Sequence, residues 1–269
     1  MPTTPPIVLS IAGFDPSSGA GVTADIKTLA AHNCYGAACI TALTVQSTRG
    51  VRRVEPVTPG LVSETLAELA EDLDIAAVRI GMLGSGAVAE AVAEFLDAAR
   101  LPNVVLDPVV RSSSGADLLD GRGVEVLRSR LLPLAAVVTP NMAEAALLTG
   151  FEVADLQAMK AAAVRFHGLG ANAVIVTGGH LEHPVDVLSR ACPNSPIEQT
   201  ELAGETIKTS HTHGTGCAFA AAVAANLALG RNLEDSAVLA KAFISRALAL
   251  AYPLGKGTSP VNQLYNFLK

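Results

Sequence analysis

Six short apolar runs punctuate the chain: IVLSIA from Ile7, ACITALTV from Ala38, AAVRIGML from Ala76, NVVLDPVV from Asn103, AAVVTPN from Ala135 and NAVIVTGG from Asn172. They do not alternate with polar residues, which predicts strands covered on both faces, as in a parallel sheet. Between them lie LVSETLAELAEDL and GAVAEAVAEFLDAAR, whose apolar positions recur at helical spacing. Strands alternating with amphipathic helices predict a doubly wound α/β sandwich with a mostly parallel central sheet. The segment from Pro184 to Ser210 is richer in Pro, Ser, Thr and Glu, and predicts a hairpin or small flap with strands near Asp186 and Ile207. Two helices are expected after it, Gly214 to Leu229 and Leu233 to Ala251. No composition shift or long linker divides residues 1–269, so a single domain is expected.

Composition narrows the function. Half of the residues are hydrophobic, so the chain has the material for a large core. Only 16% are charged, and a net charge of −6 supplies no basic footprint for nucleic acid. The apolar run from Cys217 to Ala225 is cut by Asn226, far short of the roughly 18 residues of a membrane span, so no membrane partner is expected. The opening MPTTPPIVLS has neither the basic start nor the apolar stretch of a secretory signal, which points to the cytoplasm. Cys34, Cys39, Cys192 and Cys217 follow no disulfide or zinc spacing and are expected to be free thiols.

In open α/β sheets ligands bind beyond the carboxyl ends of the strands, and the residues with chemistry collect there: AGFDPSSGAG, TVQSTRG, GML, DPVV, TPNMAE and TGGH. Both GAGVTA and GSGAVA fit a dinucleotide pattern, but the first follows too long a loop, and two hits in a Gly- and Ala-rich chain carry little weight even though Asp107 lies near the offset of a ribose-binding acid. No GxxxxGK[ST] occurs. A phosphate site is instead offered by HGTGC, where Gly214 and Gly216 allow backbone amides to converge at a helix N-terminus, or else form a plain glycine turn. Asp107, Asn141 and Glu144 offer hard oxygen ligands suited to Mg²⁺ carrying phosphate, though Asn141 and Glu144 equally suit a helix cap. Gln46 could pair with a heterocycle edge, while Met82 and Val109 could enclose a flat ring or simply belong to the core. The two histidines of SHTHG read as loop residues, not metal ligands.

Taken in order, AGFDPSSGAGVTADIKT, ITALTVQSTRGV, IGML, LDPVV, TPNMAEA, GGH and THGTGC resemble the hydroxymethylpyrimidine/phosphomethylpyrimidine kinases of thiamine biosynthesis, members of the ribokinase-like superfamily. The resemblance runs from about Ile7 to Asn262. It implies a ribokinase-like three-layer sandwich, usually a homodimer, that uses ATP and Mg²⁺ to phosphorylate 4-amino-5-hydroxymethyl-2-methylpyrimidine and then its monophosphate. By motif position it implies a pyrimidine site of Gly13, Ala20, Asp25, Gln46, Met82 and Val109. It places Asp107 and Glu144 on the metal, Asn141, Glu144 and Lys241 with the nucleotide, and Gly214, Thr215, Gly216 and Cys217 in the anion hole, with Cys217 as catalytic base. A helix N-terminus is expected to lower the Cys217 pKa from about 8.5 toward neutrality. A vitamin B6 kinase of the same fold and a non-catalytic pyrimidine-phosphate binder are the competing readings. The chain departs from the pattern at Thr177, Ser210, His211, Ser259 and Gln263, and Arg111 follows DPVV where relatives carry a different basic residue.

Overall fold

The computed structural model describes residues 4–179, 181–191 and 195–267. His180 of the GGH motif and Cys192 lie outside them.

One nine-stranded sheet forms the middle layer, in the order β3-β2-β1-β4-β5-β6-β7-β8-β9. Its strands are β1 (Ile7–Phe14), β2 (Tyr35–Ser47), β3 (Gly50–Pro56), β4 (Ile75–Ile80), β5 (Val104–Leu106), β6 (Val137–Val138), β7 (Ala173–Val176), β8 (Val185–Arg190) and β9 (Glu198–Ala203). The six strands expected from the apolar runs are β1, β2 and β4 to β7, and all six run parallel. Continuous apolar sequence follows from double-sided burial: β5, β6 and β7 are buried at every position.

Helices cover both faces. On one side lie α2 (Pro59–Asp72), α3 (Gly86–Ala99), the short α4 (Gly121–Val126) and α5 (Leu132–Leu134), α6 (Met142–Thr149) and α7 (Leu156–Gly168). On the other lie α1 (Gly21–Ala31), α8 (Thr215–Ala228) and α9 (Leu233–Ala249). Every residue of α8 from Ala218 to Asn226 is buried, because this helix is wedged between α9 and strands β1, β4 and β5. Alanine is what permits such a close approach on all sides. Cys34 and Cys39 are buried in the two layers, as small apolar side chains would be.

Two features differ from expectation. The charged stretch following TVQS forms β3, which pairs antiparallel with the far half of β2 from Ala42↔Pro56 to Ser47↔Gly50. Arg52, Arg53 and Glu55 hide this strand from an apolar-run search, since as the edge of the sheet it needs no buried face. The 184–210 segment forms β8 and β9, which extend the central sheet antiparallel at its other edge. Its second strand is therefore Glu198–Ala203, and Ile207 lies in irregular chain, a correction to the expected strand position. Among the described residues no helix is long and apolar enough to cross a membrane.

The chain leaves β1 toward β2 on one side and returns from β3 to β4 on the other. The carboxyl ends of β1 and β4 thus flank the topological switch point, the place where open α/β sheets bind their ligands.

Candidate active site

At this switch point the loop after β1 meets the loop before α8. Gly214 has φ 77°, and a side chain there would also place its Cβ 1.8 Å from the carbonyl oxygen of Gly19, so only glycine fits. Gly216 is exposed, with open space where a Cβ would stand, so its backbone can be approached from outside. No side chain caps α8, and although Thr215 N–H donates to Thr212 O at 3.3 Å, the amides of Gly216 and Cys217 remain available to an anion. The loop is held by its neighbours: His213 N–H donates to Ser259 O (3.1 Å), Val261 N–H donates to His213 O (3.1 Å), and Gln263 Nε2 reaches Gly19 O (3.4 Å). Ser259 and Gln263, departures from the family pattern, are both buried braces for these loops.

Asp15 organises the first loop. Its carboxylate accepts from Ser17 N (2.8 Å), Ser17 Oγ (2.7 Å), Gly19 N (3.2 Å) and Ala20 N (3.0 Å), and His213 Nε2 lies 2.8 Å from its Oδ2. Burial opposes its charge, but the hydrogen bonds from His213 and Ser17 outweigh burial and hold the carboxyl below its usual range.

Arg79 is the hub of the buried side. It sits on β4 with no solvent exposure, its Nη1 3.0 Å from Asp25 Oδ2 and its Nη2 2.6 Å from Asp107 Oδ2. Asp25 also accepts from Ser10 Oγ at 2.6 Å. Burial raises Asp25 to about 6 against the pull of Arg79 and Ser10. Arg79 is itself shifted upward: burial disfavours its charge, and Asp25, Cys217 and Asp107 together more than offset that. Asp25, expected as a ring contact, is fully buried and so reaches the site through Arg79 and not as the wall of an open pocket.

Cys217 stands in the first turn of α8, half-buried, with Arg79, Asp107 and Asp25 near its thiol and the Gly21 amide directed at it. Burial pushes its pKa up to about 12, with Arg79 pulling the other way. This corrects the expectation of a thiol lowered by the helix N-terminus, because desolvation outweighs the helix dipole.

The carboxylates beside it fit a cation. Asn141 and Glu144 form a full capping box, Asn141 Oδ1 accepting from Glu144 N (2.9 Å) and Glu144 Oε2 from Asn141 N (2.9 Å). Only one Glu144 oxygen is used there. Burial, and then the charge of Asp107, push Glu144 up to about 8, and burial raises Asp107 as well. Thr139 at the end of β6 has a buried hydroxyl with no partner. Among the described residues no group of three or more His, Cys, Asp or Glu side chains could hold a metal by itself.

The remaining expected residues separate into two groups. Met82 and Ala42 form a small apolar cluster with Val109 against it, and Gly13 backs onto Met82, where an added Cβ would lie 2.9 Å from the sulfur. Gln46 is half-buried, between Thr44 Oγ1 (3.1 Å) and His213 Nε2 (3.4 Å). Ala20 is the N-cap residue of α1. Lys241 is engaged by Asp186 Oδ2 at 2.6 Å, across to β8, and Arg111 by Asp117 at 2.8 Å. Sequence reasoning passed over Arg79, Asp15 and Thr44, and read His213 only as a loop residue. Only Arg79 carried a signal, a charge inside the apolar AAVRIGML run, which signifies a buried ion pair.

A doubly wound sandwich with an uncapped helix N-terminus at its switch point, one carboxylate after β5, another in the first turn of α6 and no P-loop has the parts of a small-molecule kinase of the ribokinase-like class. The comparisons make this specific. The phosphomethylpyrimidine kinase family matches residues 15–262, and the chain belongs to that family. It is 41% identical over 253 residues to a hydroxymethylpyrimidine/phosphomethylpyrimidine kinase of Aquifex aeolicus, covering 93% of this chain and 97% of that protein. It is 42% identical to a thiamine biosynthesis bifunctional protein of Geobacter sulfurreducens, of which it spans 52% of the length with 96% of its own. Among solved structures, a pyridoxal kinase of Bacillus subtilis in complex with ADP superposes with a TM-score of 0.87 at 33% identity, covering 99% of this chain and 100% of that one. A phosphomethylpyrimidine kinase of Clostridium difficile gives 0.77 at 33% identity, covering 90% and 99%.

Proposed function

We propose that the chain phosphorylates 4-amino-5-hydroxymethyl-2-methylpyrimidine and then its monophosphate, using MgATP. The observation that carries this is the convergence of the uncapped α8 N-terminus, Cys217, Arg79 and Asp107 at the switch point of a sheet whose family is defined by that ring. Charge on the phosphoryl group being transferred would be met by the amides of Gly214, Thr215, Gly216 and Cys217. Cys217 takes the proton of the attacking hydroxyl as its thiolate, whose charge Arg79 and the Gly21 amide stabilise, and becomes the neutral thiol. Arg79 therefore serves the base that burial alone would disable.

Mg²⁺ fits the site as a passenger on phosphate. Glu144, pushed up by burial and then by the charge of Asp107, lies close enough to that carboxylate for the two to share a cation that brings its remaining oxygens from ATP and water. Asp107, Asn141 and Glu144 would hold it, and bound there it neutralises phosphate charge. Glu144→Gln keeps an oxygen for the Asn141 amide, so helix α6 survives while the anionic partner is lost. The Mg²⁺ concentration for half-maximal rate is expected to rise severalfold. An unchanged Mg²⁺ titration would leave Glu144 as a cap alone.

Gln46 reads the ring, with Gly13, Ala20, Met82 and Val109 forming the surrounding wall. Gln46→Leu is expected to weaken hydroxymethylpyrimidine binding by about 5- to 150-fold, from roughly 1–3 kcal/mol for polar groups left unpaired. Pyridoxal offers a phenolic oxygen in place of the amino edge and should lose less, with ATP affinity unaffected. Equal losses for both rings would show that Gln46 only braces its loop.

A second reading, phosphorylation of a vitamin B6 ring, is favoured by the close superposition on the pyridoxal kinase. Purified protein with MgATP and, separately, hydroxymethylpyrimidine, its monophosphate and pyridoxal, with products resolved by mass, decides between the two. On the family resemblance we also assign a homodimer working in the cytoplasm, with no nucleic acid or membrane partner. Light scattering of the purified protein tests the dimer.

A further inference from the structure

The polar groups around Gln46 admit one self-consistent arrangement of protons. The Asp15 carboxylate is surrounded by donors and can only accept. His213 Nε2, 2.8 Å from Asp15 Oδ2, must therefore carry a hydrogen, in either charge state of the ring. With its hydrogen on Asp15, that Nε2 has no lone pair for the Gln46 atom 3.4 Å away, so an N–H there goes unpaired and an oxygen is better placed, yet the Gln46 atom facing it is the amide nitrogen, a donor. Amide oxygen and nitrogen are nearly isosteric, and their hydrogen-bond partners decide which is which. The other end of the amide gives an independent answer. Thr44 Oγ1 lies 3.0 Å from the Phe14 carbonyl oxygen and 3.1 Å from Gln46 Oε1. A carbonyl only accepts, so the single hydroxyl proton of Thr44 goes to Phe14, and Thr44 has only lone pairs left for Gln46. Lone pairs call for an N–H. Thr44 calls for the exchange and His213 favours it, with oxygen toward His213 and NH₂ toward Thr44.

We propose that Asp15, His213 and Thr44 are positioning residues that lock the Gln46 amide in this one orientation, so that the ring can be read in one direction only. The proposal rests on the reading of Gln46 as the ring contact. In the aminopyrimidine the ring nitrogen, the 4-amino group and the 5-hydroxymethyl group follow one another around the ring. With the amino group paired to the Gln46 oxygen on the His213 side, and the ring nitrogen to the NH₂ on the Thr44 side, the hydroxymethyl lies beyond the amino group. That is the side on which His213 runs directly into Gly214 to Cys217. The opposite amide orientation would carry the reacting hydroxyl away from the phosphoryl site. The lock thus selects both the amino edge and the end of the ring presented for transfer.

The 4-oxo analogue of the substrate carries the reversed pattern, an acceptor where the amino group donates and an N–H where the ring nitrogen accepts, so it reports amide orientation. The experiment measures kcat/KM for the amino substrate and for this analogue in wild type, Thr44→Val, Thr44→Ser and Gln46→Leu. Thr44→Val frees the amide to turn and should lower the amino-over-oxo ratio by about tenfold, the worth of one hydrogen bond, whereas Thr44→Ser keeps the hydroxyl and should hold the ratio within about twofold. His213→Phe tests the other end in the same way, and should it not fold, Thr44 alone decides. If Gln46→Leu collapses the ratio while Thr44→Val lowers both rates in parallel, Thr44 is merely structural and the lock is overturned. If Gln46→Leu also leaves the ratio unchanged, the reading of Gln46 as the ring contact fails instead.

Discussion

Cys217→Ala is expected to reduce turnover on the pyrimidine alcohol and on its monophosphate by about a hundredfold or more, the range for losing a general base, while leaving ATP affinity nearly intact. The substitution removes one sulfur from the first turn of α8, and neither the φ 77° glycine before it nor the helix behind it depends on the thiol. Stability should therefore hardly change, which separates chemistry from folding. Because burial pushes the Cys217 pKa up to about 12, the thiolate that acts as base is a minor species at neutral pH, and ordinary alkylating reagents should label Cys217 slowly. Single-turnover kinetics check the main expectation. Wild-type rates in the alanine variant would remove Cys217 from the reaction and leave the anion hole to act alone.

Arg79→Met is expected to destabilise the fold by about 3–5 kcal/mol, because it strips the partner from buried carboxylates. Asp25 has no solvent exposure, and one of its oxygens already lacks a hydrogen bond. The sign of the pH dependence follows from Asp25. Its folded pKa, raised to about 6 from an ordinary 3.8, means that ionisation costs stability as pH rises through that window. Without Arg79 the raising effect of burial is unopposed, and the window extends to higher pH. The loss from Arg79→Met should accordingly be smaller at pH 5, where Asp25 can stay protonated, than at pH 8. Urea unfolding at the two pH values tests this, with Asp25→Asn added to the variant expected to recover part of the loss. An equal loss at both would mean that Asp25 is not the carboxylate being compensated.

Much of the fold could be read from the apolar runs because central strands are buried on both faces and announce themselves by composition. The edges could not. β3 carries Arg and Glu, and β9 is largely polar, since an edge strand answers to its neighbour's backbone and not to a core. At the site, glycines and strand-end carboxylates were visible because their chemistry is local. Arg79, Asp15 and His213 act by contacts across 28 to 198 residues of sequence, and no spacing rule reaches that far. The same blindness produced the wrong sign for Cys217. Its helix position is local and legible, whereas its burial is a property of the whole packing.

The loop that carries the anion hole is clasped between two distant parts of the chain, the turn at Gly19 and the stretch from Ser259 to Gln263. During synthesis the two do not coexist until the stretch from Ser259 to Gln263 has left the ribosome. A nascent chain ending before Ser259 can already possess the sheet, the carboxylates of Asp107 and Glu144, and even Cys217, yet His213 would lack the carbonyl and amide that fix it. Such closures over long sequence separation are slow to form. The growing polypeptide would thus be a folded scaffold without a phosphoryl-transfer site until the stretch from Ser259 to Gln263 has emerged.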